Sequence, residues 1–349
     1  MCFVGVHIML DITLIMRYTA YRHFASGGIA AMAVYTFIGH GSIYDLDIRE
    51  RLIKATFSAV RKNDVVEFVP GGNGDFYSWS LAAALEAKHR YPKKAITIAA
   101  PEAVVGAFPA CAIDRAILQQ SPMGAKVQAT VRQTVKASDV VISYCYDGVS
   151  KADSGLRGYA LAQGKKLIDI TSPDTAAQLA LADGNRAAIK AMRVRVQSNK
   201  PCAIFALGPA TSDRVNLFGE TVDFIMSAYG VEHFLIAAEY IGSVFAQELR
   251  RREAHITAVT HYNVADSALP EFRARYRPLC QDFLNVVTEA KGQRAKALAS
   301  ARWMLEASGF AICRLTGSPI ESTLRRCVAD TRGVAVFDMG RMPSNGQGF

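Results

Sequence analysis

Hydrophobic and polar positions alternate along this chain in short blocks that predict strands and helices in turn. Residues 33–38 form a β-rich apolar run that ends at Gly39-His40-Gly41, and so read as a strand followed by a loop. Between Asp47 and Arg61 the apolar residues Ile48, Leu52, Ile53, Ala55, Phe57 and Val60 recur at helical spacing. Residues 65–69 predict a second strand, broken at Pro70-Gly71-Gly72, with a helix from about Ser78 to His89. Residues 96–99 supply a third strand and 127–136 a helix; 140–146 are an uninterrupted apolar strand of the kind buried on both faces. A helix over 155–162 and a strand over 167–170 close the unit. Such alternation predicts an α/β fold with a doubly wound parallel sheet, in which ligands bind beyond the carboxyl ends of the strands.

The same order then recurs. Residues 203–207 reach Gly208 as the first strand reaches Gly39, and 231–236 parallel 65–69. Ile256-Thr257 parallels Ile96-Thr97, 310–313 parallel the strand that starts at Val140, and Val336-Phe337-Asp338-Met339 parallels Leu167-Ile168-Asp169-Ile170. Most of these pairs lie about 166 to 170 positions apart. Matching order at a near-constant offset predicts two Rossmann-like units in tandem. The expected organisation is an N-terminal extension over 1–31, a first unit over 32–172, a linker over 173–200 that is helical around 175–182, and a second unit over 201–349.

Composition narrows the picture. With 349 residues, 50% hydrophobic and 20% charged, the chain can fill two globular cores. Its net charge of +9 suits an anionic partner, either phosphate on a small ligand or nucleic acid. The arginines cluster at Arg250-Arg251-Arg252 and at Arg273, Arg275 and Arg277, but they are interleaved with Glu248, Glu253 and Glu271, as on a solvated helix face. Seven cysteines without a CxxC pair argue against zinc-ribbon and thioredoxin chemistry and for a reducing compartment, so a cytoplasmic location and no metal are expected. No stretch reaches the roughly 18 to 20 apolar residues of a membrane span.

Candidate chemistry sits in three loops. Pro70-Gly71-Gly72-Asn73-Gly74-Asp75-Phe76 joins a strand to a helix; glycines let backbone approach a ligand, and a helix N-terminus attracts phosphate. It is neither a Walker motif nor a dinucleotide GxGxxG. In Gly39-His40-Gly41-Ser42, His40 is a candidate donor to a phosphate or base, and Ser42 a candidate cap for the next helix. After the apolar strand, Tyr144 and Tyr146 are placed to flank a base, Asp147-Gly148 and Asp153 to grip ribose hydroxyls or act as acid or base, and Ser154-Gly155 to open a phosphate-facing helix. Asp139, just before that strand, reads as a local cap.

The segments TFIGHG, VVEFVPGGNGDF with LEAKHRYP, ASDVVISYCYDG and GYALAQGKKLIDI together resemble the SLOG superfamily, over roughly residues 34–171. They are most similar to its small bacterial proteins with an F-x-G-H opening. The resemblance implies a Rossmannoid fold and recognition of nucleotide derivatives, and in the LOG-type branch a phosphoribohydrolase activity. That branch carries P-G-G-x-G-T-x-x-E after the strand matching 140–144, where this chain has Cys145-Tyr146-Asp147-Gly148-Val149-Ser150. Gap-free counting from Asp139 puts Asp153 at the position of the family's glutamate. In the second unit Ala237-Ala238-Glu239-Tyr240 replaces the glycine loop, with only Gly242 nearby, which reads as a degenerate copy. The stretch Thr316-Gly317-Ser318-Pro319-Ile320-Glu321 reads as a polar loop with residual binding character.

The function expected from the sequence is binding or sensing of a nucleotide-derived or sugar-phosphate ligand, with no further cofactor. The alternatives are a nucleotide-directed hydrolase using Asp153 or Asp75, and a nucleic-acid-binding protein. Self-association into a homodimer stays open at this point.

Overall fold

A computed structural model describes residues 31–117, 127–205, 207–237, 243–260, 274, 276–286, 288, 290–315 and 319–340. Nearly all of the expected N-terminal extension and the second-unit loops at 238–242 and 316–318 lie outside these residues.

The first unit runs β1 (Ala33–Gly39), α1 (Ile48–Lys62), β2 (Val65–Pro70), α2 (Asp75–Arg90), β3 (Ala95–Pro101), α3 (Glu102–Val105), β4 (Arg115–Ile117), α4 (Val127–Ala137), β5 (Val140–Tyr144), α5 (Lys151–Ala162) and β6 (Lys166–Asp169). Its six strands are all parallel, in the order β4-β3-β2-β1-β5-β6. Strands of this kind must be apolar on both faces, and they are. Phe37, Phe68, Ile98 and Ile142 pack towards α1 and α2, while Ile38, Val141 and Cys145 pack with Val131, Val135, Leu156 and Ala160 of α4 and α5. Glu67 interrupts the apolar run of β2 at 1% exposure, and Arg115 of β4 meets it with three hydrogen bonds of 2.6–3.0 Å. That ion pair explains why β4 escapes detection in the sequence: its edge position rests on a charge pair, not on apolar pattern.

The expected linker is structured. Ser172 caps α6 (Pro173–Leu181) and Asn185 caps α7 (Arg186–Ala191), each accepting a hydrogen bond from an N-terminal amide of its helix. Beyond them Val194 forms an isolated antiparallel bridge with Ile43, beside the loop that follows β1.

The second unit runs β7 (Cys202–Phe205), α8 (Ser212–Tyr229), β8 (His233–Ala237), α9 (Ser243–Arg251), β9 (His255–Thr260), β10 (Asp282–Asn285), α10 (Gln293–Ala307), β11 (Phe310–Cys313), α11 (Pro319–Asp330) and β12 (Ala335–Asp338). Its order, β10-β9-β8-β7-β11-β12, repeats the first, again with every pair parallel.

One helix ties the two sheets together. Every residue of α2 from Phe76 to Ala87 is buried, the behaviour of a helix enclosed on all sides. The Trp79 ring lies 4.9 Å from Tyr229 and 6.1 Å from Phe310, and Tyr229 stacks on Phe310 at 4.4 Å. Tyr229 Oη donates to the Ser78 carbonyl at 2.7 Å, and Glu86 accepts the Gly333 amide at 2.9 Å. The alanines at 82, 83, 84 and 87 allow the close approach that this position between two sheets demands.

Candidate functional site

The strand order reverses between the neighbours β1 and β5: the chain leaves β1 for β2 on one side and leaves β5 for β6 on the other, so the two loops part at their carboxyl ends, where ligands of such sheets bind. Three loops meet there. The His40 amide donates to the Tyr144 carbonyl at 3.1 Å and the Phe76 amide to the Gly41 carbonyl at 3.4 Å, which joins the ends of β1, β2 and β5. Gly39, His40, Gly41, the Gly71–Gly74 loop and Tyr144 are therefore brought together.

The glycines have internal reasons. Gly74 has φ +104°, and a Cβ on it would come within 2.6 Å of the Gly41 carbonyl oxygen. A Cβ on Gly72 would come within 2.7 Å of the Tyr77 ring. Tyr77 is itself fixed, its hydroxyl donating to the Gly39 carbonyl at 3.0 Å and accepting the Gly39 amide at 3.2 Å. Burial drives its pKa far above 10.0, so it stays a neutral phenol. The glycine pattern thus serves the nesting of one loop on another as well as backbone exposure; Gly71 and Gly72 are buried, while Gly41, Asn73 and Gly74 are exposed at the rim.

His40 is 2% exposed, and both its ring nitrogens are occupied. Nε2 accepts the Tyr146 amide at 2.7 Å, so the proton sits on Nδ1 and is donated to Asp153 Oδ2 at 2.8 Å. The expected role of His40 as donor to a ligand gives way to that of a pin between β1, the loop after β5 and α5. Asp153 is the other end of that pin.

A buried carboxylate that the sequence reading missed lies beside it. Asp45 Oδ2 accepts the hydroxyls of Tyr144 at 2.7 Å and Tyr146 at 2.6 Å and pairs with Arg51 at 2.9 Å, and its Oδ1 accepts the hydroxyl of Thr175. Tyr144 also accepts the Tyr44 amide, and Tyr146 the Ser172 amide. Burial, reinforced by the hydrogen bond to Asp45, raises the pKa of both phenols, that of Tyr146 to about 12. The Tyr144 ring stacks on Phe76 at 5.1 Å. Neither tyrosine is free to flank a base: both are fully committed to core and carboxylate. No sequence pattern marks Asp45, because its three hydroxyl partners are brought from 99 to 130 positions away.

Three further expectations are corrected. Ser42 does not cap α1, whose N-cap position is held by Asp47. Asp139 is a cross-strand tie and not a local cap, its carboxylate accepting the Val34 amide of β1 at 2.9 Å. Ser154-Gly155 does not open a helix: α5 starts at Lys151 behind its Ser150 cap, with Ser154 and Gly155 already inside the first turns. The Ser154 hydroxyl is shielded from solvent and has no partner among the described residues.

What remains open to a ligand is a rim of backbone and small side chains: Gly41, Asn73, Gly74, Asp147 and Gly148 are all exposed. Gly148 has φ +82° with nothing within 4 Å of a Cβ built on it. Asp75 stands half-buried at the start of α2. Burial raises its pKa above the ordinary 3.8, against the opposing pull of the Arg195 guanidinium. Arg195, next to the Val194 bridge, is a second residue the sequence reading missed; its guanidinium also donates to the Ser227 carbonyl at 3.2 Å. Among the described residues no group of three His, Cys, Asp or Glu is arranged to hold a metal. In the basic run at the end of α9, Arg251 pairs with Glu248, and Arg252, just past the helix, pairs with Glu248 and with Asp223 of α8.

Fold and loops together define an α/β protein of two tandem Rossmann-like units, the first with three loops joined at its carboxyl edge. Compared with protein-family models and with curated protein sequences, the chain matches none.

Proposed function

We propose that this protein binds or senses a nucleotide-derived or sugar-phosphate ligand at the carboxyl edge of its first sheet. The observation that carries the reading is the meeting of the loops after β1, β2 and β5 at the point where the strand order reverses, with an exposed rim of Gly41, Asn73, Gly74, Asp147 and Gly148. The resemblance to SLOG proteins, which recognise nucleotide derivatives, points the same way. Catalysis is the weaker reading, because His40 and Asp153 spend their reactive atoms on each other and on the fold. The specific observation in favour of a hydrolase is Asp75, a half-buried carboxyl at the start of α2 whose pKa burial raises. Six described cysteines, all free and buried, fit the expected cytoplasmic location, and no helix among the described residues is long and apolar enough to cross a membrane.

A thermal-shift screen of nucleotides, cyclic nucleotides, ADP-ribose and sugar phosphates tests the reading. A ligand held at a hundred times its Kd stabilises the native state by about 2.7 kcal/mol, so at least one member should raise the melting temperature by several degrees. A flat response across the panel would remove the proposal. A melting rise with slow breakdown of that ligand, lost in Asp75→Asn, would instead select the hydrolase.

A further inference from the structure

The chain between α7 and β7 alternates inward and outward as an extended segment does. Met192, Val194 and Val196 pack against the core that both units share, while Arg193, Arg195 and Gln197 are exposed. Near its start the Val194 amide donates to the Ile43 carbonyl at 2.9 Å. Ile43 is buried two residues after Gly41, an exposed member of the rim. Near its end the Ser198 amide donates to the Tyr229 carbonyl at 2.8 Å, and between the two Arg195 donates to the Ser227 carbonyl at 3.2 Å. The last four carbonyls of a helix have no partner within it. This segment supplies donors for two of those in α8, one of them a cation at the negative end of the helix dipole. Gln197 lies against Gly230, which ends α8 at φ +64°; a Cβ there would come within 2.8 Å of the Gln197 side chain.

We propose that residues 192–198 are a regulatory strap that couples the rim of the first unit to the last turn of α8, which makes the second unit the half that reads or sets occupancy of the first. The second unit lacks a glycine loop of its own, its β8 being followed in sequence by Ala238-Glu239-Tyr240. Tyr229 extends the connection, since its hydroxyl donates at 2.7 Å to the carbonyl of Ser78 in the first turn of α2, the helix that leaves the glycine loop. The joint at Ile43 is an isolated bridge outside any sheet, so it can open while both sheets stay folded. Such coupling is reciprocal. A ligand that favours the closed bridge tightens the strap on α8, and whatever displaces the end of α8 weakens that ligand by the same factor. The regulatory role rests on the ligand proposed above; the coupling itself does not.

The test is hydrogen exchange of the full chain without ligand, read by mass spectrometry in peptides covering 40–47 and 224–230. Val194→Pro deletes the donor to Ile43, and Ser198→Pro the donor to Tyr229. Each should speed exchange at least threefold at the far end as well as at its own, Val194→Pro in 224–230 and Ser198→Pro in 40–47. Parent-like exchange at the far end in either variant would overturn the proposal. Should a proline variant fail to fold, Arg195→Ala takes its place, because that side chain is exposed and its loss frees the Ser227 carbonyl. Exchange in 40–47 should again rise, and parent-like exchange there would overturn the strap. The thermal-shift panel is read separately. A flat panel with altered far-end exchange would remove the ligand and leave the coupling standing, whereas a panel hit with parent-like exchange would keep the ligand and remove the strap.

Discussion

His40 shows how far a residue's surroundings can change its meaning. A histidine in a loop at the end of a strand is a natural candidate for ligand chemistry, but here one nitrogen receives the Tyr146 amide and the other gives its proton to Asp153. His40→Phe should therefore destabilise the protein by about 1–3 kcal/mol through the unsatisfied amide and carboxylate it leaves behind, as urea unfolding would measure. Asp153→Asn, whose amide oxygen still accepts the Nδ1 proton, should cost less. Asp75 has the opposite character. Its folded-state pKa is raised above 3.8, so its ionised form is disfavoured by folding. The cost is absent below that value, builds as pH rises through the folded pKa, and persists at neutral pH. Asp75→Asn should melt higher than the parent at pH 7 and level with it once the pH falls below 3.8. At this scale the sequence anticipated that the loops after β1, β2 and β5 meet and misassigned several roles within them. Asp45 and Tyr77 are held by hydroxyl and backbone partners distant in the chain, and nothing adjacent to them in sequence records those contacts.

The element most legible in advance was the strand–glycine loop–helix passage from β2 into α2, because a break of three glycines between two apolar patterns has few structural solutions. What the pattern could not tell apart were glycines that make room for a ligand and glycines that make room for the protein. Gly74 belongs to the second kind through its φ of +104° and the Gly41 carbonyl. Gly74→Ala should cost about 1–3 kcal/mol from the backbone alone. Gly155 lies inside α5 with nothing within 4 Å of an added Cβ, so Gly155→Ala should gain about 0.5–1 kcal/mol. Urea titrations giving the two changes the same sign would contradict this division. β4 marks the limit of pattern reading: three residues held at the sheet edge by Arg115 and Glu67 carry too little periodicity to be seen.

For the molecule as a whole, the repeat in the sequence foretold two sheets of one strand order but not how they would join. The join depends on α2, whose buried faces serve both sheets, and Trp79 meets Tyr229 and Phe310 from 150 and 231 positions away in the chain. Trp79→Ala should cost about 3–5 kcal/mol and lower a single calorimetric transition, since both units lean on the same helix; a split into two transitions would show that they fold separately. The central claim, a ligand at the carboxyl edge of the first sheet, is tested most directly at Asn73. This side chain is exposed on the rim, so a carboxylate there should repel a phosphate at the mouth of α2 without disturbing the core. The measurement is titration calorimetry of the parent and Asn73→Glu with whichever member of the nucleotide panel most raises the melting temperature. The account predicts binding at least tenfold weaker in the variant, with an unaltered melting temperature in the absence of ligand. Equal affinity in the two proteins would contradict it.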